Sequence, residues 1–310
     1  KTTNNQTIMR ALVISGGGSK GAFAGGMAEY FINDLGTDYE IFTGSSTGSL
    51  LIPMLASNNV LKAKEVYTSI TSKDIFTLNP YKISAKRGVV KIKMNHFNIL
   101  RSFLRGNKTF GSSLKLRETI QKFFTEEEFN WIKESYRNVI VTVSNLSLNQ
   151  GEYKSINDFS YEDFCDWIWA SANFLPFMSL VVKNGMEYGD GGFSNNIPIQ
   201  SAIDAGATEI DVIVLDPIDS LSNRMKSNNV IDLLFNVFDY LLDQAISSKL
   251  ELSKLNSKNN KVKINVYHTP HKLTENSLIF NKKRMTKWWE EGRIYAKKVK
   301  SDSIIIEPEI

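Results

Sequence analysis

The sequence predicts an α/β fold in which a mostly parallel central sheet is flanked by helices. Apolar runs rich in Val and Ile alternate along the chain with segments of helical period, and this alternation is typical of a parallel sheet covered by helices. The strand-like runs are apolar throughout, as in strands buried on both faces. With 310 residues, of which 42% are hydrophobic, the chain is long enough for one large domain, and we expect a single domain over residues 1–310.

Each predicted element follows from its local pattern. The first two strands are short apolar runs that end in glycine-rich turns, and each turn opens a segment with apolar residues at helical spacing. The later strands are rich in Val and Ile, and Asn184-Gly185 marks a hairpin turn between two short strands. The predicted strands are Arg10–Ser15, Glu40–Thr43, Asn138–Ser144, Val181–Lys183, Met186–Tyr188, Glu209–Leu215 and Lys261–Tyr267. The predicted helices are Ala22–Asp34, Thr47–Ser57, Leu61–Thr71, Tyr161–Ala172, Ile197–Ala205, Val230–Leu255 and Arg284–Lys300.

Composition narrows the class of protein. The formal net charge of +4 is too small to indicate a partner by itself. Cys165 is the only cysteine, which excludes an intramolecular disulfide and a cysteine-rich metal site, and we expect neither a metal nor a cofactor. No apolar run reaches the roughly 18 residues of a membrane-spanning helix, so we expect a cytoplasmic or peripheral membrane protein. The chain begins at Lys1 rather than at a methionine, which leaves secretion open.

A glycine-rich turn, Gly16-Gly17-Gly18-Ser19-Lys20-Gly21, follows the first strand. Such a turn presents backbone N–H groups that stabilise negative charge. The same G-x-G-x-x-G spacing occurs in dinucleotide-binding folds, so a nucleotide-binding module is an alternative. That interpretation requires an acidic residue at the end of the second strand, whereas Ile41-Phe42-Thr43 leads into Gly44.

The second strand ends in Gly44-Ser45-Ser46-Thr47-Gly48, a G-x-S-x-G pattern that opens an apolar helix. In this pattern the central serine lies on a tight strand-to-helix turn, and the glycines on either side leave space around its hydroxyl. Ser46 is the central residue. We therefore expect Ser46 to be a nucleophile that forms a covalent acyl ester, with Ser45 and Ser49 in structural roles.

Two residues are candidates for the general base to Ser46. His268 follows a predicted strand, and a serine, then Asp190 or Asp216, then a histidine is the chain order of α/β-hydrolase triads. Such hydrolases place several strands before the nucleophile, whereas one strand precedes the Ser46 strand here, which argues against the triad. The other candidate is Asp190 itself, in Tyr188-Gly189-Asp190-Gly191-Gly192, although an aspartate before two glycines also terminates loops.

The blocks Gly16–Gly21, Gly44–Gly48 and Asp190-Gly191-Gly192 resemble, in order and spacing, those of the patatin-like phospholipases, lipid acyl hydrolases that use a Ser/Asp dyad. Lys20 stands where many members have arginine, and Gly192 stands where plant members have alanine. The resemblance covers about residues 10–72 and 138–216, and residues 217–310 are a divergent C-terminal part. Further similar stretches are Ala170-Ser171-Ala172 with Pro176-Phe177, Asn196-Ile197-Pro198 and Ala205-Gly206-Ala207.

The resemblance implies a three-layer fold and a set of catalytic roles. It implies that Ser46 attacks the ester carbonyl of a phospholipid or another acyl lipid, as in phospholipase A or lysophospholipase, and that Asp190 is the general base. A module without catalytic activity, which binds a nucleotide or a membrane, is the alternative, and the sequence identifies no protein activator. The implied oxyanion hole is Gly16, Gly17 and Gly18. The glycines that support these motifs are Gly21, Gly44, Gly48, Gly191 and Gly192.

The stretch from Tyr81 to Arg117 contains ten Lys and Arg residues and no Asp or Glu. Bulky apolar residues are interleaved with these cations, so we interpret residues 74–137 as a cap or insertion that faces an anionic membrane surface. No nucleic-acid recognition motif accompanies the charge, and we expect no nucleic-acid partner. The candidate membrane contacts are Lys86, Arg87, Lys91 and Lys93.

Replacing these four cations by glutamate should weaken binding to anionic vesicles, because each cation near an anionic surface contributes about 1 kcal/mol. Salt should weaken the binding of the unaltered protein as well, since it screens the same attraction. Co-sedimentation with phosphatidylglycerol vesicles measures both effects, and hydrolysis of a soluble short-chain ester is the control that should not change. If neither the four charge reversals nor added salt changes vesicle binding, the segment is an ordinary solvated insertion.

Overall fold

The structure is a computed structural model that describes residues 8–86, 89–218, 262–274 and 276–299, together with residues 233, 234, 237 and 240. All of the predicted strands are present, with bounds that differ by at most two residues. The strands are β1 (Arg10–Ile14), β2 (Ile41–Ser45), β3 (Tyr81–Lys86), β4 (Val89–Met94), β5 (Asn138–Asn145), β6 (Gln150–Ser155), β7 (Val181–Lys183), β8 (Met186–Asp190), β9 (Glu209–Val214) and β10 (Lys263–His268).

The predicted helices are also present, except that Val230–Leu255 falls almost entirely outside the described residues. None of the helices in the described part of the chain combines the length and the apolar content that crossing a membrane requires. The helices are α1 (Gly21–Glu29), α2 (Thr47–Ala56), α3 (Val60–Ser69), α4 (Ser72–Ile75), α5 (His96–Leu104), α6 (Leu114–Phe123), α7 (Glu126–Glu134), α8 (Tyr161–Ser171), α9 (Gly192–Asn195), α10 (Ile199–Asp204) and α11 (Lys282–Lys298).

The main sheet has eight strands in the order β10-β9-β1-β2-β5-β8-β7, and β6 also pairs with β5. The five strands from β10 to β5 are mutually parallel, whereas β6, β7 and β8 are antiparallel additions beside β5. Strands β3 and β4 form a separate antiparallel hairpin. This topology confirms the predicted fold class, a mostly parallel sheet with helices around it.

Both faces of the sheet are buried, which explains why its strands are apolar throughout. In β1, Leu12 and Ile14 belong to the larger core, with helices α1, α2, α3, α8 and α11, while Ala11 and Val13 point into a second core. The second core includes Ile199 of α10. The two cores lie on opposite sides of the sheet, because side chains alternate along a strand. The arrangement is therefore three-layered.

Strand β5 determines where the last residues of strands β2 and β8 lie. Its edge with β6 spans Ile140–Asn145, so β2 and β8 must share the opposite edge. On that edge Ser45, the last residue of β2, is paired with Thr142, and Asp190, the last residue of β8, is paired with Val143. The two strands run in opposite directions and end one register position apart. Residues 46 and 190 are therefore brought together by the register of β5.

Helix α11 packs on α1 with almost no space between their backbones. A Cβ atom added at Gly26 of α1 would lie 1.9 Å from the carbonyl oxygen of Trp289, and one added at Gly292 would lie 2.1 Å from the carbonyl oxygen of Phe23. The buried indole Nε1 of Trp289 also donates a hydrogen bond to Glu29 Oε2, at 2.5 Å. The C-terminal helix is thus an integral part of the core and supports the helix that follows the glycine-rich turn.

Residues 74–137, which we predict to be a cap or insertion, have two structurally different parts. Helices α6 and α7 bury Leu116, Ile120, Phe129 and Ile132 in the larger core. The β3–β4 hairpin and helix α5 lie outside the main sheet. Only the second part is peripheral in the way that a cap requires.

We expect Gly26→Ala to lower the free energy of unfolding by about 1–3 kcal/mol, because the added methyl group would overlap the backbone of α11. A decrease in the free energy of unfolding would indicate the close packing, because the same Gly→Ala substitution in an exposed helix raises this free energy by about 1 kcal/mol. Urea unfolding followed by circular dichroism measures the change. A variant as stable as the unaltered protein would show that the two helices can move apart without cost.

Candidate active site

Ser46 lies on a tight turn between β2 and α2. Its backbone φ angle is +52°, an unfavourable conformation for a residue with a side chain, and one that is typical of a nucleophile elbow. The flanking glycines make the turn possible. A Cβ atom at Gly48 would lie 2.2 Å from the carbonyl oxygen of Ile14, and one at Gly44 would lie 2.6 Å from the carbonyl carbon of Gly48.

The side chains of Ser46 and Asp190 are in direct contact. Ser46 Oγ donates a hydrogen bond to Asp190 Oδ2 at 2.7 Å. The other carboxylate oxygen, Oδ1, accepts a hydrogen bond from the backbone amide of Gly192 at 2.7 Å. The Asp190 residue is 3% exposed. One oxygen of the carboxylate is therefore held by the backbone, and the other is directed at the serine hydroxyl.

Burial raises the pKa of Asp190 from 3.8 to about 7. The hydrogen bonds from Ser46 and from the Gly192 amide favour the carboxylate and oppose this rise. Desolvation is the larger effect, because the ionised form loses its hydration in the protein interior. A carboxylate with a pKa near neutrality accepts a proton from a hydroxyl more readily than an ordinary aspartate does.

The end of α8 braces both members of this pair. The backbone amide of Ser46 donates to Ser171 Oγ at 3.1 Å, and the same hydroxyl is hydrogen-bonded to Ser49 Oγ. The amide of Asp190 donates to the carbonyl oxygen of Asn173 at 2.9 Å, and the amide of Gly191 donates to that of Ser171 at 3.1 Å. The sequence does not predict this role of Ser171, and only the motif Ala170-Ser171-Ala172 points to the residue.

The glycine-rich turn lies against the same pair, but its three amides are not equivalent. The amide of Gly16 donates to the carbonyl oxygen of Asn196 at 3.2 Å, and the amide of Ser19 donates to that of Ser277 at 2.8 Å. Within the described residues, the amides of Gly17 and Gly18 have no hydrogen-bond acceptor. Gly18 has a φ angle of +54°, a conformation that favours glycine. Two unpaired donors therefore border the pocket that contains Ser46.

The supporting glycines are required by close packing. A Cβ atom at Gly21 would lie 2.3 Å from Thr47 Oγ1, and one at Gly191 would lie 2.2 Å from the carbonyl oxygen of Thr142. At Gly192 the nearest atoms would be side-chain oxygens 3.0 Å away, so an added methyl group would be tight there rather than excluded. The looser packing at Gly192 is consistent with the resemblance described above, because plant members of that family have alanine at this position.

The structure does not bring the histidine candidates to Ser46. Strand β10, which ends in His268, is three strands away from β2, a distance of about 14 Å at the usual strand spacing. His268 Nδ1 lies 3.0 Å from the carbonyl oxygen of Asp216, and His271 Nε2 lies 3.2 Å from Glu291 Oε1. The carboxylate of Asp216 is paired with Lys20 at 2.5 Å. The geometry therefore favours Asp190 over the triad alternative.

The Ser46–Asp190 pair borders a pocket whose lining includes both polar and apolar side chains. The polar part is bordered by Lys20, Asp216, Lys272 and Asn276. Among the residues that the structure describes, no three His, Cys, Asp or Glu side chains are grouped as metal ligands. Side chains from α2, α3, α4 and α6 line the apolar part, chiefly Leu50, Val66, Ile70, Ile75, Leu116 and Phe123.

The candidate membrane contacts are separate from this pocket. Lys86, Lys91 and Lys93 lie on the β3–β4 hairpin, and Arg87 lies outside the described residues. Lys93 is exposed. Lys93, whose side chain is described, is not among the residues that border the pocket with Ser46.

The chain is similar over its length to the structure titled "Crystal structure of VipD from Legionella pneumophila", with 14% sequence identity and a TM-score of 0.49; the alignment covers 94% of this chain and 67% of that one. No curated protein sequence is significantly similar to this chain. The family model described as "Patatin-like phospholipase" matches residues 12–203, which is more than half of the chain and includes both Ser46 and Asp190. The chain belongs to the patatin-like phospholipase family.

Proposed function

We propose that this protein is a serine lipid acyl hydrolase of the phospholipase A or lysophospholipase type, with Ser46 as nucleophile and Asp190 as general base. Membership of the family implies a lipid hydrolase. The observation that carries the finer proposal is the 2.7 Å hydrogen bond from Ser46 Oγ to a buried carboxylate. A serine hydroxyl is a weak nucleophile until a base removes its proton, and Asp190 is positioned to accept that proton.

The proposed acylation transfers one proton and exchanges one ester for another. Ser46 Oγ attacks the ester carbonyl carbon while its proton passes to Asp190 Oδ2, and the carbonyl oxygen becomes an oxyanion. The tetrahedral intermediate then expels the alcohol, which takes the proton from Asp190. The product is an acyl ester on Ser46. In the second half, Asp190 takes a proton from water, which attacks this ester, and the fatty acid leaves as the proton returns to Ser46.

The oxyanion is proposed to accept hydrogen bonds from the amides of Gly17 and Gly18. The amide of Gly16 already donates to the carbonyl oxygen of Asn196. We therefore propose that Gly16 supports the turn and does not donate a hydrogen bond to the oxyanion. The N-terminus of α2, which begins at Thr47, adds a positive partial charge next to the reacting atoms. Loss of one oxyanion donor typically costs about 3 kcal/mol of transition-state stabilisation.

The two parts of the pocket match the two ends of an acyl lipid. The apolar part between α2, α3 and α6 accommodates a hydrocarbon chain, whose burial is favourable because it leaves water. The polar part, with Lys20 and Lys272, suits the ester and the polar head group. An ester bond that spans this boundary would lie beside Ser46.

Ser46→Ala should abolish ester hydrolysis and labelling by a fluorophosphonate probe, because it removes the nucleophile from an otherwise intact turn. Asp190→Asn should reduce turnover nearly as much, since asparagine keeps the shape but cannot accept the proton. His268→Ala is the matched control and should retain most of the activity. Hydrolysis of a soluble p-nitrophenyl ester measures all three, with melting temperatures to confirm folding. Activity of Ser46→Ala within about tenfold of the unaltered protein, or a loss in His268→Ala equal to that in Ser46→Ala, would contradict the dyad.

The pH dependence should report the raised pKa of Asp190. The base acts only when ionised, so kcat/KM should rise with pH through about 7 and then level off. Stability should show the opposite trend, because the folded state holds the Asp190 proton over a pH range in which the unfolded state has lost it. Between pH 3.8 and about 7, the unaltered protein should lose stability relative to Asp190→Asn as the pH rises. A flat rate profile across this range would separate Asp190 from the chemistry.

A further inference from the structure

Helix α5 presents its apolar face to solvent instead of to the core. Phe97 is 71% exposed, Leu100 is 57% exposed and Leu104 is 79% exposed. Their spacing of three and four residues places them on one side of the helix. The opposite side is held to the protein, since Ser102 is buried and its Oγ donates to the carbonyl oxygen of Thr109 at 2.9 Å. The exposed apolar face is therefore fixed in its orientation.

Cations accompany this face. Lys93, which precedes the helix, and Arg101 and Arg105, which lie on it or directly after it, are exposed. Within the described part of the chain these three form no ion pair. The sequence from Tyr81 to Arg117 contains no acidic residue that could neutralise them. An apolar stripe among unpaired cations is the composition of helices that lie in the interface of anionic membranes.

A series of ring contacts connects α5 to the pocket. Phe103 of α5 contacts Phe110 at a centroid distance of 6.1 Å, Phe110 contacts Phe177 at 5.8 Å, and Phe177 stacks on Phe174 at 6.0 Å. Phe174 lines the pocket beside Ser46. Three ring contacts therefore link helix α5 to a residue that lines the pocket of the candidate active site.

We propose that the outward face of α5 is a membrane-docking surface, which inserts Phe97, Leu100 and Leu104 between the lipids of an anionic bilayer while Arg101 and Arg105 contact the phosphates. The apolar side chains insert into the bilayer, and the cations make the protein bind more strongly to anionic lipids than to neutral ones. Docking itself does not depend on the proposed function. Its consequence for substrate delivery does, because it would place the pocket entrance on the surface that contains acyl lipids.

The features of α5 favour a bilayer over a protein partner. A protein partner seated on this face would bury unpaired cations, which is costly unless the partner supplies an acidic group to each of them. A bilayer pairs such cations with phosphates and receives the apolar groups in the acyl region below them. A second copy of this chain would bring the same cations together and repel.

The first experiment measures partitioning of the full chain onto vesicles. Phe97→Ser, Leu100→Ser and Leu104→Ser combined should lower the partition coefficient on phosphatidylglycerol-containing vesicles at least about tenfold, because apolar contact with lipid is lost. The matched control changes three exposed apolar residues elsewhere, Leu35→Ser, Leu61→Ser and Ile294→Ser, whose exposures are 47%, 73% and 56%. This control should bind as the unaltered protein does. Equal binding by the α5 variant and the unaltered protein would overturn the proposal.

A second experiment reports insertion without relying on loss of binding. Cys165 is the only cysteine and is buried, so Leu100→Cys can be labelled with an environment-sensitive fluorophore, with Leu61→Cys as the control position. Addition of anionic vesicles should shift the emission to the blue at position 100 and leave position 61 unchanged. An unshifted label at position 100 would overturn the proposal. Dimerisation that the α5 triple variant abolishes, without any vesicle effect, would instead assign the face to a second copy of the chain.

The two proposals fail in different ways. If docking fails and the dyad is correct, vesicle binding is unaffected by the α5 variant, while Ser46→Ala still abolishes hydrolysis of a soluble ester. If the dyad fails and docking is correct, the label at position 100 still shifts, while Ser46→Ala keeps its activity on the soluble ester or His268→Ala loses as much activity as Ser46→Ala does. The soluble substrate needs no membrane, so the α5 variant should hydrolyse it at the unaltered rate.

Discussion

The register of one strand holds the candidate active site together. Adjacent residues of β5, Thr142 and Val143, pair with Ser45 at the end of β2 and with Asp190 at the end of β8. A slip of one residue on either side would turn the side chains to the opposite face of the sheet, and the 2.7 Å contact between Ser46 and Asp190 could not form. Two residues 144 positions apart are therefore positioned by backbone hydrogen bonds rather than by their own interaction.

The candidate active site lowers the stability of the folded protein. Ser46 adopts a strained backbone conformation, and Asp190 is an acidic group buried with no cation paired to it among the described residues. Neither would persist on a mobile scaffold. The surrounding packing fixes both of them, since β1, β2 and β5 are buried on two faces and α11 packs backbone to backbone against α1. The close contact between α11 and α1 is thus part of what makes the turn after β1 rigid.

The sequence predicts the parallel strands and the elbow well, because these rest on local signals. A strand buried on both faces is a continuous apolar run, and a nucleophile turn needs glycines at fixed positions around Ser46. Strand β6 could not be found in this way, since its sequence Gln150–Ser155 is polar and only half of its residues are exposed, with no regular alternation. Helix α5 was not predicted either, although Phe97, Leu100 and Leu104 have helical spacing; that its apolar residues face solvent could not be predicted, because the sequence does not show which face of a helix meets the core. The use of the Gly16 amide by Asn196 depends on contacts across 180 residues, which no local pattern encodes.

Part of the pocket lining comes from a segment of the chain that lies beyond the family match. Ser46 and Asp190 lie within the region that matches the family, residues 12–203, whereas Ser277, Leu278 and Phe280 border the same pocket from beyond it. The carbonyl oxygen of Ser277 also holds the amide of Ser19 in the glycine-rich turn. The proposed reacting groups and part of the pocket lining thus belong to different segments of the chain. Under the proposed function, substitutions in the later segment would alter selectivity without changing the reacting groups, and a chain shortened to the family region would keep Ser46 but lose one side of the pocket.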